Sequence, residues 1–93
     1  MRASDDLVAQ FLTHLEKERD VSPHTLTAYA HDLDGFRTFL RVHLGAEEVA
    51  WERVDRLTMR SWLAHLARQG LSRRSSARAL SAVRSFFRFL HRA

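Results

Sequence analysis

Apolar residues recur along this chain at intervals of three and four, and no stretch alternates with period two, so the pattern predicts helices without strands. Four segments carry it. The first runs from about Ser4 to Arg19, with Leu7, Val8, Phe11, Leu12 and Leu15 on one stripe. Ser4 is placed to cap it, and Asp5 and Asp6 to meet the positive end of its dipole. Asp20-Val21-Ser22-Pro23 breaks the pattern. Ser followed by Pro is a start signal, because Ser caps and Pro fits the first helical position. A second helix is therefore predicted from Pro23 to about His43. Its core stripe is Leu26, Tyr29, Leu33, Phe36 and Leu40; Thr25, Ala28, His31, Asp32 and Thr38 fall toward the other side, and Gly45 ends it. Residues 46–56 read as a connection whose Trp51 and Val54 pack onto the core. The third helix is expected over residues 57–69, with Leu57, Trp62, Leu63 and Leu66 inward, Gly70 as its stop and Leu71 closing over the stop.

Ser72 opens the fourth helix, from Arg73 to about His91. Its apolar face is Ala79, Leu80, Val83, Phe86, Phe87 and Leu90. The opposite stripe is Arg74, Arg78, Ser81, Ser85, Arg88 and Arg92, flanked by Arg73, Ser75 and Arg84.

Composition narrows the class. Ninety-three residues make one domain with a modest core, and 45% hydrophobic with 28% charged residues is globular rather than disordered. The absence of cysteine excludes disulfides and thiolate metal sites. No apolar run reaches the roughly 18 residues of a membrane span, and the opening MRASDDLVAQ has acids where a signal peptide is apolar. The expectation is a cytoplasmic chain with no membrane partner, monomeric when isolated.

Charge changes the picture more. Residues 1–55 hold six Lys and Arg against all eleven acids, a balance of −5; residues 56–93 hold nine Arg and no acid, a balance of +9. Such asymmetry marks a polyanion-binding face. A solvated basic surface is the plain alternative, but a helix selected only for solubility mixes Glu with Arg to gain i,i+4 pairs. Arg brings a forked donor that suits phosphate and the guanine edge, and Ser is short enough to let a helix approach a groove. Arg73, Arg74, Ser75, Ser76, Arg78, Ser81, Arg84, Ser85 and Arg88 are thus candidates for contact with double-stranded DNA, aided by the N–H donors of the helix start. Ser22, His24, Thr25, Ala28 and His31 present small polar groups at the start of the second helix and join them; ordinary capping by Ser22 explains part of that group equally well.

Chemistry beyond binding finds no support. The six histidines show no metal-ligand spacing, so no metal and no cofactor is expected. Tyr29, the only tyrosine, lies in an apolar stripe and reads as a core ring. No nucleophile signature, phosphate loop or carboxylate pair stands out, and the chain is read as a non-enzyme.

Two segments carry a family resemblance: SPHTLTAYAHDL (residues 22–33) and GLSRRSSARALSAVRSFFRFL (residues 70–90), in that order and at that separation. With them the chain resembles the N-terminal core-binding, SAM-like domain of Xer-type tyrosine recombinases and phage integrases. The resemblance implies an all-α, four-helix orthogonal bundle spanning residues 1–93, whose second and fourth helices face a recombination site while the first helps contact a neighbouring recombinase protomer. It places Thr25 and Ala28 on the DNA side of the second helix, and matches Ser75, Ser76, Arg78, Ser81 and Arg84 to the Ser/Arg frame of the fourth. It implies that the catalytic residues belong to a second domain, absent from this chain, which exchanges strands through a covalent phosphotyrosine. One departure is Ala30-His31, where the family often carries basic residues.

The function expected is DNA binding within site-specific recombination, including DNA integration or chromosome dimer resolution and partition. Removal of Arg78 and Arg84 is expected to abolish it without unfolding the chain. The alternative is a helical protein–protein interaction module that associates through its acidic and basic halves. A helix-turn-helix repressor fits less well, because the fourth helix is long for a recognition helix and no dimerisation element is evident.

Overall fold

The computed structural model describes the backbone of residues 3–92 and the side chains of residues 7–92. Four helices and no strand occur among the described residues: α1 (Ala3–Glu18), α2 (Pro23–Leu44), α3 (Arg56–Arg68) and α4 (Arg73–His91), with one 3₁₀ turn, Trp51–Arg53, between α2 and α3. The all-α, four-helix expectation holds. No helix is long and apolar enough to cross a membrane among the described residues.

Local chemistry sets the helix ends. Ser22 is extended, and its Oγ accepts the Thr25 N–H at 3.2 Å, with Pro23 opening α2. Asp55 caps α3 by accepting the Thr58 N–H at 2.8 Å, and Ser72 caps α4 by accepting the Ser75 N–H at 3.1 Å. Gly45 closes α2 at φ 69° and Gly70 follows α3 at φ 80°, both in the left-handed region that glycine enters without a Cβ penalty. Leu71 donates its N–H back to the Leu66 carbonyl across Gly70. Asp20 makes the same left-handed exit from α1 at φ 50°. α1 already includes Ser4, and the side chains of Ser4, Asp5 and Asp6, with the capping and dipole roles expected of them, lie outside the described residues.

The core gathers Phe11 and Leu15 of α1, Leu33, Phe36 and Leu40 of α2, Trp62 and Leu66 of α3, and Ala79, Val83 and Phe86 of α4. Trp51 drops into it from the connection, as its pattern predicted. The rings meet edge to face: Phe36 and Trp62 at 4.7 Å between centroids, Trp51 and Phe86 at 4.8 Å. α2 and α4 pack most extensively on one another, so the two helices that carry the candidate residues form one scaffold.

Two assignments change, one in each direction. Leu57 is 69% exposed. Trp62 and Leu66 enter the core and set which face of α3 is inward, so that Thr58, Trp62 and Leu66, four apart, make the buried line and Leu57 lies one residue off it. Asp32 was assigned to the open side of α2 and is buried. The reason is its partner.

Candidate nucleic-acid interface

Arg78 reaches from α4 to α2 and grips Asp32 with both prongs of its fork: Nε donates to Oδ2 at 2.9 Å and Nη2 to Oδ1 at 2.8 Å. The Asp32 side chain is 4% exposed and that of Arg78 43%. Hydrogen bonds to Asp32, reinforced by its charge, hold the Arg78 guanidinium still more firmly protonated. The carboxylate is thus inside and the guanidinium spans the boundary. Two of its five N–H groups are committed, and three remain for an outside acceptor.

This bridge joins two lines of candidates. Thr25, Ala28 and Asp32 follow one another at helical spacing on α2, as do Arg74, Arg78, Ser81 and Ser85 on α4. Thr25 and Ala28 are half-buried. The Thr25 hydroxyl is 3.0 Å from Oγ of the exposed Ser22, which caps the helix. His24 and His31 are exposed. His31 lines a small hollow of about 110 Å³ with Asp32, Leu71 and Ala79, which brings it beside the start of α4.

On α4, Arg73, Arg74, Ser81 and Arg84 are exposed, and no acid among the described residues pairs with the three arginines. Ser75 and Ser76 are half-buried. Their N–H groups are spoken for, Ser75's by Ser72 Oγ and Ser76's by the Ser72 carbonyl. The donors left for an anion at this helix start are those of Arg73 and Arg74. Ser85 is half-buried and takes a hydrogen bond at 3.0 Å from Arg88 Nη2. Arg92 leaves the stripe: its guanidinium lies 4.3 Å above the Phe89 ring and 3.4 Å from His14 Nδ1 of α1.

The basic surface is wider than the sequence suggested. Arg84 and Arg88 turn toward α3 and, with Arg56 and Arg60, line an open groove of about 690 Å³. Arg56 and Arg60 were not singled out from the sequence, although they belong to the same acid-free run; only the packing of α3 on α4 brings the four arginines together. The expected test by removing Arg78 with Arg84 also changes, because taking away Arg78 strands a buried carboxylate and perturbs the fold as well as the surface. Among the described residues no three His, Asp or Glu side chains converge where a metal ion would be held.

Comparison with known proteins shows the family of the chain. The family model described as phage integrase, N-terminal SAM-like domain, matches residues 8–93. The chain is 45% identical over 85 residues to the tyrosine recombinase XerC of Pelobacter propionicus, covering 91% of this chain and 28% of that protein. It is 42% identical over 85 residues to that of Lacticaseibacillus casei, with the same coverage, and 34% over 91 residues to that of Syntrophus aciditrophicus, covering 94% of this chain and 29% of that protein. The chain therefore spans less than a third of the length of these relatives. No solved structure matches it.

Proposed function

The chain belongs to the phage integrase N-terminal SAM-like domain family, and from that premise we propose that it binds double-stranded DNA as the clamp domain of a site-specific tyrosine recombinase. The observation that carries the reading is the Asp32–Arg78 bridge, which ties the α2 line of Thr25, Ala28 and Asp32 to the arginine stripe of α4. In this reading Arg73, Arg74 and Arg84 meet phosphates, and Arg78 offers its uncommitted N–H groups from a fixed position. Ser75, Ser76, Ser81, Ser85 and Arg88 line the approach, and Ser22, His24, Thr25, Ala28 and His31 form the α2 side. Phosphate contacts position such a domain, and the Arg and Ser side chains that reach base edges give it sequence preference.

Residues 1–93 act as one DNA-gripping unit in this proposal. In this reading strand exchange falls to the remainder of a recombinase like the relatives above, working in the bacterial cytoplasm beside other recombinase protomers. The residues here supply binding and orientation and no bond-breaking step.

Titration of the isotope-labelled chain with a short duplex tests the proposal. Amide shifts gathered on residues 22–31 and 73–88, shrinking as salt rises, support it. Shifts that track protein concentration and ignore the duplex overturn it in favour of association between acidic and basic halves.

A further inference from the structure

The groove between α3 and the second half of α4 has a feature that phosphate binding does not use. Its floor is apolar, made by the half-buried side chains of Met59 and Leu63 from α3 and Phe87 from α4. Its rim is cationic, with Arg56, Arg60, Arg84 and Arg88 all exposed. The one acid on its lining is Asp55, and that carboxylate is engaged: one oxygen accepts both the Thr58 N–H at 2.8 Å and the Thr58 hydroxyl at 2.9 Å. The groove therefore offers four positive charges over a greasy bed, against the single negative charge of the capping Asp55 at one end.

That combination selects among partners. A duplex seated on the four arginines would lay its phosphates over Met59, Leu63 and Phe87 and gain nothing from them. A helix with apolar anchors on one face and carboxylates along both flanks would satisfy floor and rim together. The dimensions agree: the α4 wall runs from Leu80 to His91, about 16 Å of helix axis at 1.5 Å per residue, enough for three anchors at i, i+4 and i+7. The volume of about 690 Å³ is sufficient for several side chains.

We propose that the α3–α4 groove is a docking site for an acidic amphipathic helix of a partner protein, held by apolar anchors on Met59, Leu63 and Phe87 and by ion pairs to Arg56, Arg60, Arg84 and Arg88. The site is separate from the α2 start but shares Arg84 and Arg88 with the DNA face proposed above, whereas Met59, Leu63, Arg56 and Arg60 belong to the groove and not to that face.

The test uses the full 93-residue chain and a designed helical peptide of about 16 residues, with Leu at the three anchor positions and Glu on both flanks. Controls are a scrambled peptide and one with Lys in place of Glu. The expected result is a saturable shift of the Met59 methyl and the Leu63 and Phe87 signals, no shift in residues 22–28, and silence from both controls. Arg60→Glu weakens binding by about tenfold or more, and Met59→Glu does the same. Arg60 is exposed and has no ion-pair partner among the described residues, so its variant keeps the test decisive if Met59→Glu proves poorly folded by thermal unfolding. An equal response to the scrambled peptide, or none to the acidic one, overturns the proposal. So does a groove that responds only to duplex DNA, or only to the concentration of the chain itself.

Discussion

Arg78 and Asp32, 46 residues apart in the chain, meet in a two-pronged ion pair that ties α4 to α2 at the centre of the basic face. The pair gives Arg78 a structural duty that its neighbours on the stripe lack. Asp32 is buried, and without the guanidinium its carboxyl loses both of the hydrogen bonds that it accepts from Arg78.

Arg78→Ala is therefore expected to destabilise the fold by about 2–4 kcal/mol, below the full cost of a fully buried broken pair because Arg78 itself is partly solvated. Arg74→Ala, at an exposed position with no ion-pair partner among the described residues, is expected to stay within about 0.5 kcal/mol. Adding Asp32→Leu to Arg78→Ala removes the stranded carboxylate and recovers part of the loss. Urea denaturation of the four proteins measures all three statements, and equal midpoints for Arg78→Ala and Arg74→Ala would refute the first.

The clean probes of the surface are then Arg74 and Arg84. The double variant Arg74→Ala/Arg84→Ala is expected to keep its unfolding midpoint, lose duplex affinity, and flatten the slope of log affinity against log salt by about two, one phosphate for each arginine. Fluorescence anisotropy with a labelled duplex at several salt concentrations reads it. An unchanged slope in the folded double variant removes both residues from the phosphate contacts.

The helices were legible because their signals are local. Ser22-Pro23, Gly45, Gly70 and Ser72 each act within one turn of themselves, and each is found doing so. What stayed hidden was long-range or a matter of phase. Asp32 looks like an ordinary surface acid until α4 brings Arg78 to it. Leu57 looks inward until Trp62 and Leu66 enter the core and set the phase of α3, and Thr58 can take the buried place because Asp55 accepts from its hydroxyl. The four-arginine groove likewise exists only after α3 packs on α4.

Asp55 also gives a pH dependence. Hydrogen bonds from the Thr58 N–H, then from the Thr58 hydroxyl, hold its carboxyl below the usual carboxylate value. A depressed folded-state value means that the stabilisation is complete above the unfolded-state value of about 4 and is lost as pH falls through the lower folded one. Asp55→Asn keeps a capping oxygen without the titration. The difference between wild-type and Asp55→Asn melting temperatures is therefore expected to favour wild type at pH 7 and to shrink on acidification below about pH 4. A constant difference across that range refutes the assignment.

Ser22 separates capping from contact at the start of α2. Its Oγ takes the Thr25 N–H and lies 3.0 Å from the Thr25 hydroxyl. Ser22→Ala removes that acceptor and is expected to cost about 1 kcal/mol. Ser22→Asp keeps an acceptor in the same place and adds a charge that the helix dipole favours, so stability is expected to match or exceed wild type. The same charge repels phosphate. If the α2 start lies against DNA, Ser22→Asp must bind duplex several-fold more weakly than wild type while melting no lower, and the loss must fade as salt screens it. A cap without a contact gives the opposite pattern, in which affinity follows stability and only Ser22→Ala is weakened. Measuring melting and duplex affinity on the two variants decides whether α2 shares the interface or merely supports α4.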